Sequence, residues 1–265
     1  MLDIIKEHIV FRKQILGLAR ADIIKTYKGA ALGWLWALIK PVTTIFVYWF
    51  AIRIGLRGSS TIGEHPFFLW MMIGIIPWFF MSEMLTQGTD AIRKYSYLVT
   101  KMKFPVSTVP TFVGMSKMLV NSVLLIIGLI ILWVNGYYPT IYYLQLPFYM
   151  LMMFLFFTFW GLFAAPLAAI SKDFSNLVKS FITAIFWFSG ILYDPRSIDI
   201  VPIRIMLQLN PVTYIAQGYR DTFIFQTWFF ENRIETLGFF LVLFVMGLVA
   251  FNTYKKLRKD IPDVL

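Results

Sequence analysis

The stretch Thr108–Val134, TVPTFVGMSKMLVNSVLLIIGLIILWV, is apolar throughout except for a few small polar residues and one charge, Lys117. A bilayer core about 30 Å thick is crossed by roughly 17 to 25 helical residues, so a run of this length reads as a membrane span. Outward from it lie five more: Trp34–Arg53, Pro66–Leu85, Leu146–Ile170, Leu177–Tyr193 and Leu237–Tyr254. Pro66–Leu85 and Leu177–Tyr193 are the shortest or most interrupted. Composition agrees, with 59% hydrophobic residues, 14% charged and a mean hydropathy of +0.72. Soluble domains run near one half apolar and about a quarter charged. The 27 Phe, 13 Tyr and 9 Trp suit a chain facing lipid and its interfaces. The expectation is an all-α membrane protein with six transmembrane helices, which excludes soluble-enzyme and nucleic-acid-binding classes. No small-residue cleavage site follows a short apolar core at the N-terminus, so no cleaved signal peptide is expected.

Between the fifth and sixth runs, Asp194–Glu235 is apolar only in patches. It is broken by Pro195, Pro202 and Pro211 and carries Arg196, Arg204 and Arg220. No full span fits there, and the segment reads as short helices, over 194–226, that dip into the interface and return. Irregular backbone at that depth is tolerated only where protein or water satisfies it.

Cations set the orientation. Most of the 24 Lys and Arg fall in residues 6–28, 93–103, 172–179 and 255–259, which share one side in a six-span chain. The positive-inside bias places both termini in the cytoplasm of a multi-pass cell-membrane protein. The 194–226 helices are then extracellular.

Residues 1–33 precede the spans and form an amphipathic helix candidate. Phe11, Ile15, Leu18, Ala19 and Ile23 share a face at 100° per residue, with Lys13, Arg20 and Lys28 opposite. Arg12 and Asp22 fall near the apolar arc. Such a helix lies in the headgroup plane; the alternative is a solvated basic tail. Residues 34–265 form one six-helix transmembrane domain. Within it Asp90–Phe104 reads as a second polar helix, capped by Thr89 or Asp90 and stopped by Pro105, used as a contact surface or as a plain basic connector.

Catalytic chemistry is missing from the sequence. There is no G-x-x-x-x-G-K-[S/T] stretch, so nucleotide hydrolysis belongs elsewhere. His8 and His65 fall on opposite sides of the membrane, which leaves no Ser/His/Asp set. With no Cys and two lone His, no metal site is expected. Of the intramembrane charges, Lys40 and Arg53 flank the first span and snorkel, whereas Glu83 and Lys117 lie at comparable depth on neighbouring spans as a structural pair or a transport element. Phe46, Tyr48, Trp49, Trp78, Phe79 and Trp187 lie deep enough to line a path along which a sugar or polyol chain slides; lipid-facing rings give the same composition.

The amphipathic start leading through Asp22–Lys28 to LGWLWALIKP (32–41), GIIPWFFMSE (74–83), GTDAIRKYSYLVTKMKFPVSTVP (88–110), LNPVTYIAQGYRD (209–221) and the terminal Pro262–Leu265 together resemble the wall teichoic acid translocation permeases, close kin of the O-antigen and capsular polysaccharide permeases. The resemblance covers nearly the whole chain in order. It implies the transmembrane subunit of an ABC exporter, working as a homodimer with two copies of a separate ATPase that holds ATP and Mg. It further implies that Asp90–Phe104 is the coupling helix, with Asp90, Arg93, Lys94, Tyr97 and Lys101 facing the ATPase. The cargo would be a lipid-linked polymer on a diphosphate anchor, for which Arg20, Lys25 and Lys28 are candidate phosphate ligands.

Overall fold

The computed structural model describes residues 2–29, 31–55, 60–102 and 104–261, which are almost all helical. The α-helices are α1 (Leu2–Val10), α2 (Arg12–Tyr27), α3 (Trp36–Phe50), α4 (Phe67–Glu83), α5 (Ala91–Lys94), α6 (Ser96–Thr100), α7 (Val109–Val134), α8 (Leu146–Ile170), α9 (Lys172–Trp187), α10 (Val201–Gln208), α11 (Pro211–Arg220) and α12 (Arg233–Leu257). Strand pairing among the described residues is confined to a small hairpin, Thr61 opposite Pro66 and Ile62 opposite His65. The terminal Pro262–Leu265, part of the sequence resemblance, and Lys103 lie outside the described residues.

Among the described residues five helical stretches are long and apolar enough to cross a membrane: Gly33–Gly55, Phe67–Gly88, Val106–Val134, Ile141–Ile170 and Arg233–Leu257. They fall on five of the six expected spans. The remaining one, Leu177–Tyr193, is met by α9, which starts earlier and has 16 residues. At 1.5 Å per residue it is about 24 Å long, shorter than the hydrocarbon core. Charges at Lys172, Asp173 and Lys179 occupy its first turns, and beyond Trp187 the chain turns at Gly190 (φ +59°), where any side chain would run into Pro195. The expected six spans are therefore five of full length and one short helix.

At the centre sits α4. Its sequence is apolar on every side, which suits a helix enclosed by others, and Trp70, Met71, Ile73, Ile75 and Met81 are buried without remainder. α7 and α11 pack on it, and α8 is held between α7 and α12. Small residues permit the closest approaches: Gly218 on α11 takes the ring of Tyr149 on α8 where a methyl would overlap it. By contrast α3 stands at the edge and leaves Val42, Phe46, Val47 and Phe50 exposed.

Two expected helices are broken. The amphipathic start divides at Phe11, whose ring meets Phe104 edge-on at 5.5 Å. Its apolar face still turns inward, with Ile15 and Ala19 buried. The expected helix Asp90–Phe104 is α5 and α6 separated by Tyr95 (φ −115°, ψ 28°), and it ends at Thr100, short of Pro105. In the proline-broken segment, Pro195, Pro202 and Pro211 each open a short helix, where the missing N–H costs nothing. Asn210 caps α11 by accepting from Val212 N at 2.9 Å.

Candidate functional site

α5 and α6 lie against the bundle through Ala91, Ile92, Tyr95, Leu98 and Val99, all buried. This splits the five residues read as a docking set. Asp90 does not cap α5; its carboxylate accepts from Ser175 at 2.5 Å and pairs with Lys179 at 2.6 Å, both on α9. Arg93 donates to the carbonyl of Ala169 at the end of α8 at 3.3 Å. Lys94 pairs with Asp22 at 3.0 Å. Tyr97 and Lys101 are exposed, and with Thr100 and Met102 they form the outward face of the segment. Asp90, Arg93 and Lys94 thus hold the segment to its own bundle, while Tyr97 and Lys101 are left to meet anything outside it.

Asp22 is the node that sequence reasoning missed as a site. It is 2% exposed on α2 and accepts from the hydroxyls of Tyr95 and Ser116 as well as from Lys94. Burial alone would raise its carboxyl, but the Ser116 and Tyr95 hydrogen bonds and the Lys94 charge hold it below the usual carboxylate range. Burial and the bond to Asp22 together push the Tyr95 phenol well above its ordinary value, so it stays a donor. Lys25 and Lys94 also sit over the Tyr95 ring, at 5.6 and 5.2 Å. One carboxylate therefore ties α2, the α5–α6 segment and α7 together. At the other end of the opening stretch, Glu7 accepts from Ser107 and His8 bonds Thr111 at 2.7 Å.

A second polar cluster gathers the charges of the proline-broken segment. Arg196 donates to both oxygens of Asp221, at 3.0 and 2.9 Å, and to Glu235, at 3.3 and 3.0 Å. Although burial opposes it, these two carboxylates hold the Arg196 guanidinium above its ordinary value. Arg220 is wholly buried: it donates to the carbonyls of Trp70, Gly190 and Ile191 and lies 3.4 Å from the centre of the Trp70 ring. Gly74 leaves the space, since a methyl there would overlap the guanidinium. Two of the three arginines that argued against a span are thus structural ties at the start of α4 and α12.

The three phosphate-ligand candidates do not converge. Lys25 and Lys28 share a shallow groove with Ala21 and Ile24, and Arg20 lies outside it. Of the path aromatics, Tyr48, Trp78 and Trp187 meet around Phe186, with centroids 5.0, 5.3 and 5.9 Å away. Phe46 and Trp49 form a separate pair at 6.0 Å, Trp49 resting edge-on against Phe68. Phe79 faces a cavity between α2, α3, α4 and α7. Glu83 and Lys117 pair across α4 and α7 at 3.4 Å. Among the described residues no group of His, Cys, Asp and Glu could hold a metal ion.

Among the described residues, the chain is a helical bundle with five stretches long and apolar enough to cross a membrane and a polar segment packed against it. Residues 13–224 match the ABC-2 type transporter family, and the chain belongs to that family. Over 269 residues it is 26% identical to the O-antigen export system permease protein RfbA of Myxococcus xanthus, with 99% of each chain covered.

Proposed function

We propose that this chain is the permease subunit of an exporter that carries a lipid-linked cell-surface polysaccharide out of the cytoplasm, driven by a separate ATPase. The observation that carries this reading is the end-to-end likeness to an O-antigen export permease. The lack of any nucleotide-binding motif in the sequence supports it, since the energy must then come from a partner. The functional unit is a homodimer with two ATPase subunits, ATP and Mg being held there.

The α5–α6 segment docks on the ATPase through Tyr97 and Lys101. Its ties through Asp90, Arg93, Lys94 and Asp22 carry the movement to α9, α8 and α2 together. Nucleotide shifts the dimer between two states only as far as it binds one better than the other. The termini and the α5–α6 segment are cytoplasmic, α1 and α2 lie in the headgroup plane, and α10–α11 face outside. The cargo rides on a polyprenyl diphosphate, with Arg20, Lys25 and Lys28 as its first cationic contacts and the rings around Phe186 along its path.

Two polymers fit. The sequence resemblance favours wall teichoic acid, and the full-length relative favours O-antigen. Purifying the chain with its ATPase and identifying the co-extracted lipid by mass spectrometry separates them: polyol-phosphate repeats support the first, sugar repeats without backbone phosphate the second. A chain that transports its cargo with no ATPase present would overturn the proposal.

A further inference from the structure

The cavity between α2, α3, α4 and α7 has a volume of about 310 Å³, enough for a small headgroup. Its lining is largely apolar, yet Tyr27, Lys40, Gln87, Lys117, Asn121 and Glu83 all contribute to it. Lys117 is 4% exposed, and its ion-pair partner among the described residues is Glu83, which is itself 42% exposed at 3.4 Å. A buried ammonium needs close compensation, and a long contact to a half-solvated carboxylate supplies little of it. Lys40 has no ion pair among the described residues, so the cavity holds one more cation than anion. Asn121, 2% exposed, donates to the Ile76 carbonyl at 2.6 Å, while its own Oδ1 has no hydrogen-bond partner. An open acceptor of this kind takes a donor, so it is met by a hydroxyl or a water and not by the phosphate itself.

A second, apolar groove of about 600 Å³ runs along α3 past Ile39, Val47 and Tyr48. It shares Trp36, Lys40 and Thr44 with the cavity, so the two are continuous, with Lys117 and Glu83 on the cavity side and Ile39 and Val47 on the groove side. That pairing matches a molecule with an anionic head and a hydrocarbon tail.

We infer that this cavity and groove form a binding site for a phosphate-bearing lipid, with Lys117 and Lys40 on the phosphate, the tail along α3, and Glu83 as a built-in competitor that the phosphate displaces. The site is distinct from the shallow Lys25–Lys28 groove. The phosphate can belong to a membrane phospholipid or to the diphosphate carrier of the cargo. This inference goes beyond the export reading and does not need it.

The test is calorimetric titration of the detergent-purified full chain with dioctanoyl phosphatidylglycerol in one arm and farnesyl diphosphate in the other, with farnesol as the phosphate-free control. Binding in at least one arm and none by farnesol is expected; the arm that binds tighter identifies the source. Lys40→Gln, at an exposed position, and Lys117→Met should each weaken binding about tenfold, the effect of losing roughly 1.4 kcal/mol. Glu83→Gln should tighten it several-fold. A pair that is merely structural predicts the opposite for Glu83→Gln, a lower melting temperature with no gain in affinity, and that result overturns the inference. So does affinity indifferent to Lys40→Gln, a variant that stays informative where Lys117→Met fails to fold. Because no transport is measured, failure here leaves the export reading standing.

Discussion

At the scale of single residues, Asp22 shows how a charge on an apolar arc becomes a fastening. Asp22→Asn keeps the size but removes the charge that Lys94, Tyr95 and Ser116 converge on. The expected cost is about 1–3 kcal/mol, the range for disrupting a buried charged hydrogen-bond network, read as a lower melting temperature of the purified protein. The folded carboxyl titrates below its ordinary 3.8. Its contribution is therefore complete above that value and is lost as pH falls through the lower folded value. Acidifying from about pH 5 should lower the melting temperature of the parent more steeply than that of Asp22→Asn; parallel curves would count against the node. Arg220→Met should be harsher, about 1–3 kcal/mol for each group it strands, namely the carbonyls of Trp70, Gly190 and Ile191, and near-normal stability would refute the tie. Both sites left traces in the sequence. Asp22 stood out as a flaw in the helical wheel, and Arg220 as a cation where the chain is otherwise apolar. The partners were not legible, because Ser116 and Trp70 are nearly a hundred or more residues away and nothing local names them.

At the scale of elements, the α5–α6 segment has one buried face and one exposed face, and the two should respond differently to change. Tyr97→Ala with Lys101→Glu touches only exposed side chains, where substitutions usually shift stability by less than about 0.5 kcal/mol. The double variant should melt like the parent and still co-purify its lipid, yet lose export while ATP hydrolysis by the complex persists. Export at the parental rate would remove the docking role. Leu98→Asp, on the buried face, should instead unfold the segment, seen as protease cleavage between Tyr95 and Pro105. The sequence showed that a polar helical segment lies here but not its break, since Tyr95 is a competent helix residue whose departure serves a long-range bond to Asp22. The same holds for α9. Apolar content suggested a span to Tyr193, and the real limits come from Lys172 and Asp173 at one end and the Gly190–Pro195 contact at the other.

At the scale of the whole molecule, two polar clusters sit at opposite ends of the same central helix. Trp70, in the first turn of α4, takes Arg220, whereas Glu83, in its last, lies beside α2 and the cavity below. α12 repeats the sense, beginning at Glu235 against Arg196. A helix that crosses a bilayer must put these ends in different compartments. The spans themselves were legible because lipid imposes length and apolarity on each one locally; how they pack was not, because α4 and α8 are apolar on every face and no stripe marks a partner. Topology can be checked without disturbing that packing, because the chain has no Cys. A cysteine placed at exposed Asp199 should react with a membrane-impermeant maleimide on intact cells, and one at Lys259, beyond α12, only after the membrane is opened. Both positions are exposed and lie beyond the long helices, so neither burial nor lipid can mimic protection. Labelling of Asp199 only after permeabilisation would turn the molecule over and place α10 and α11, rather than α5 and α6, on the side where an ATPase waits.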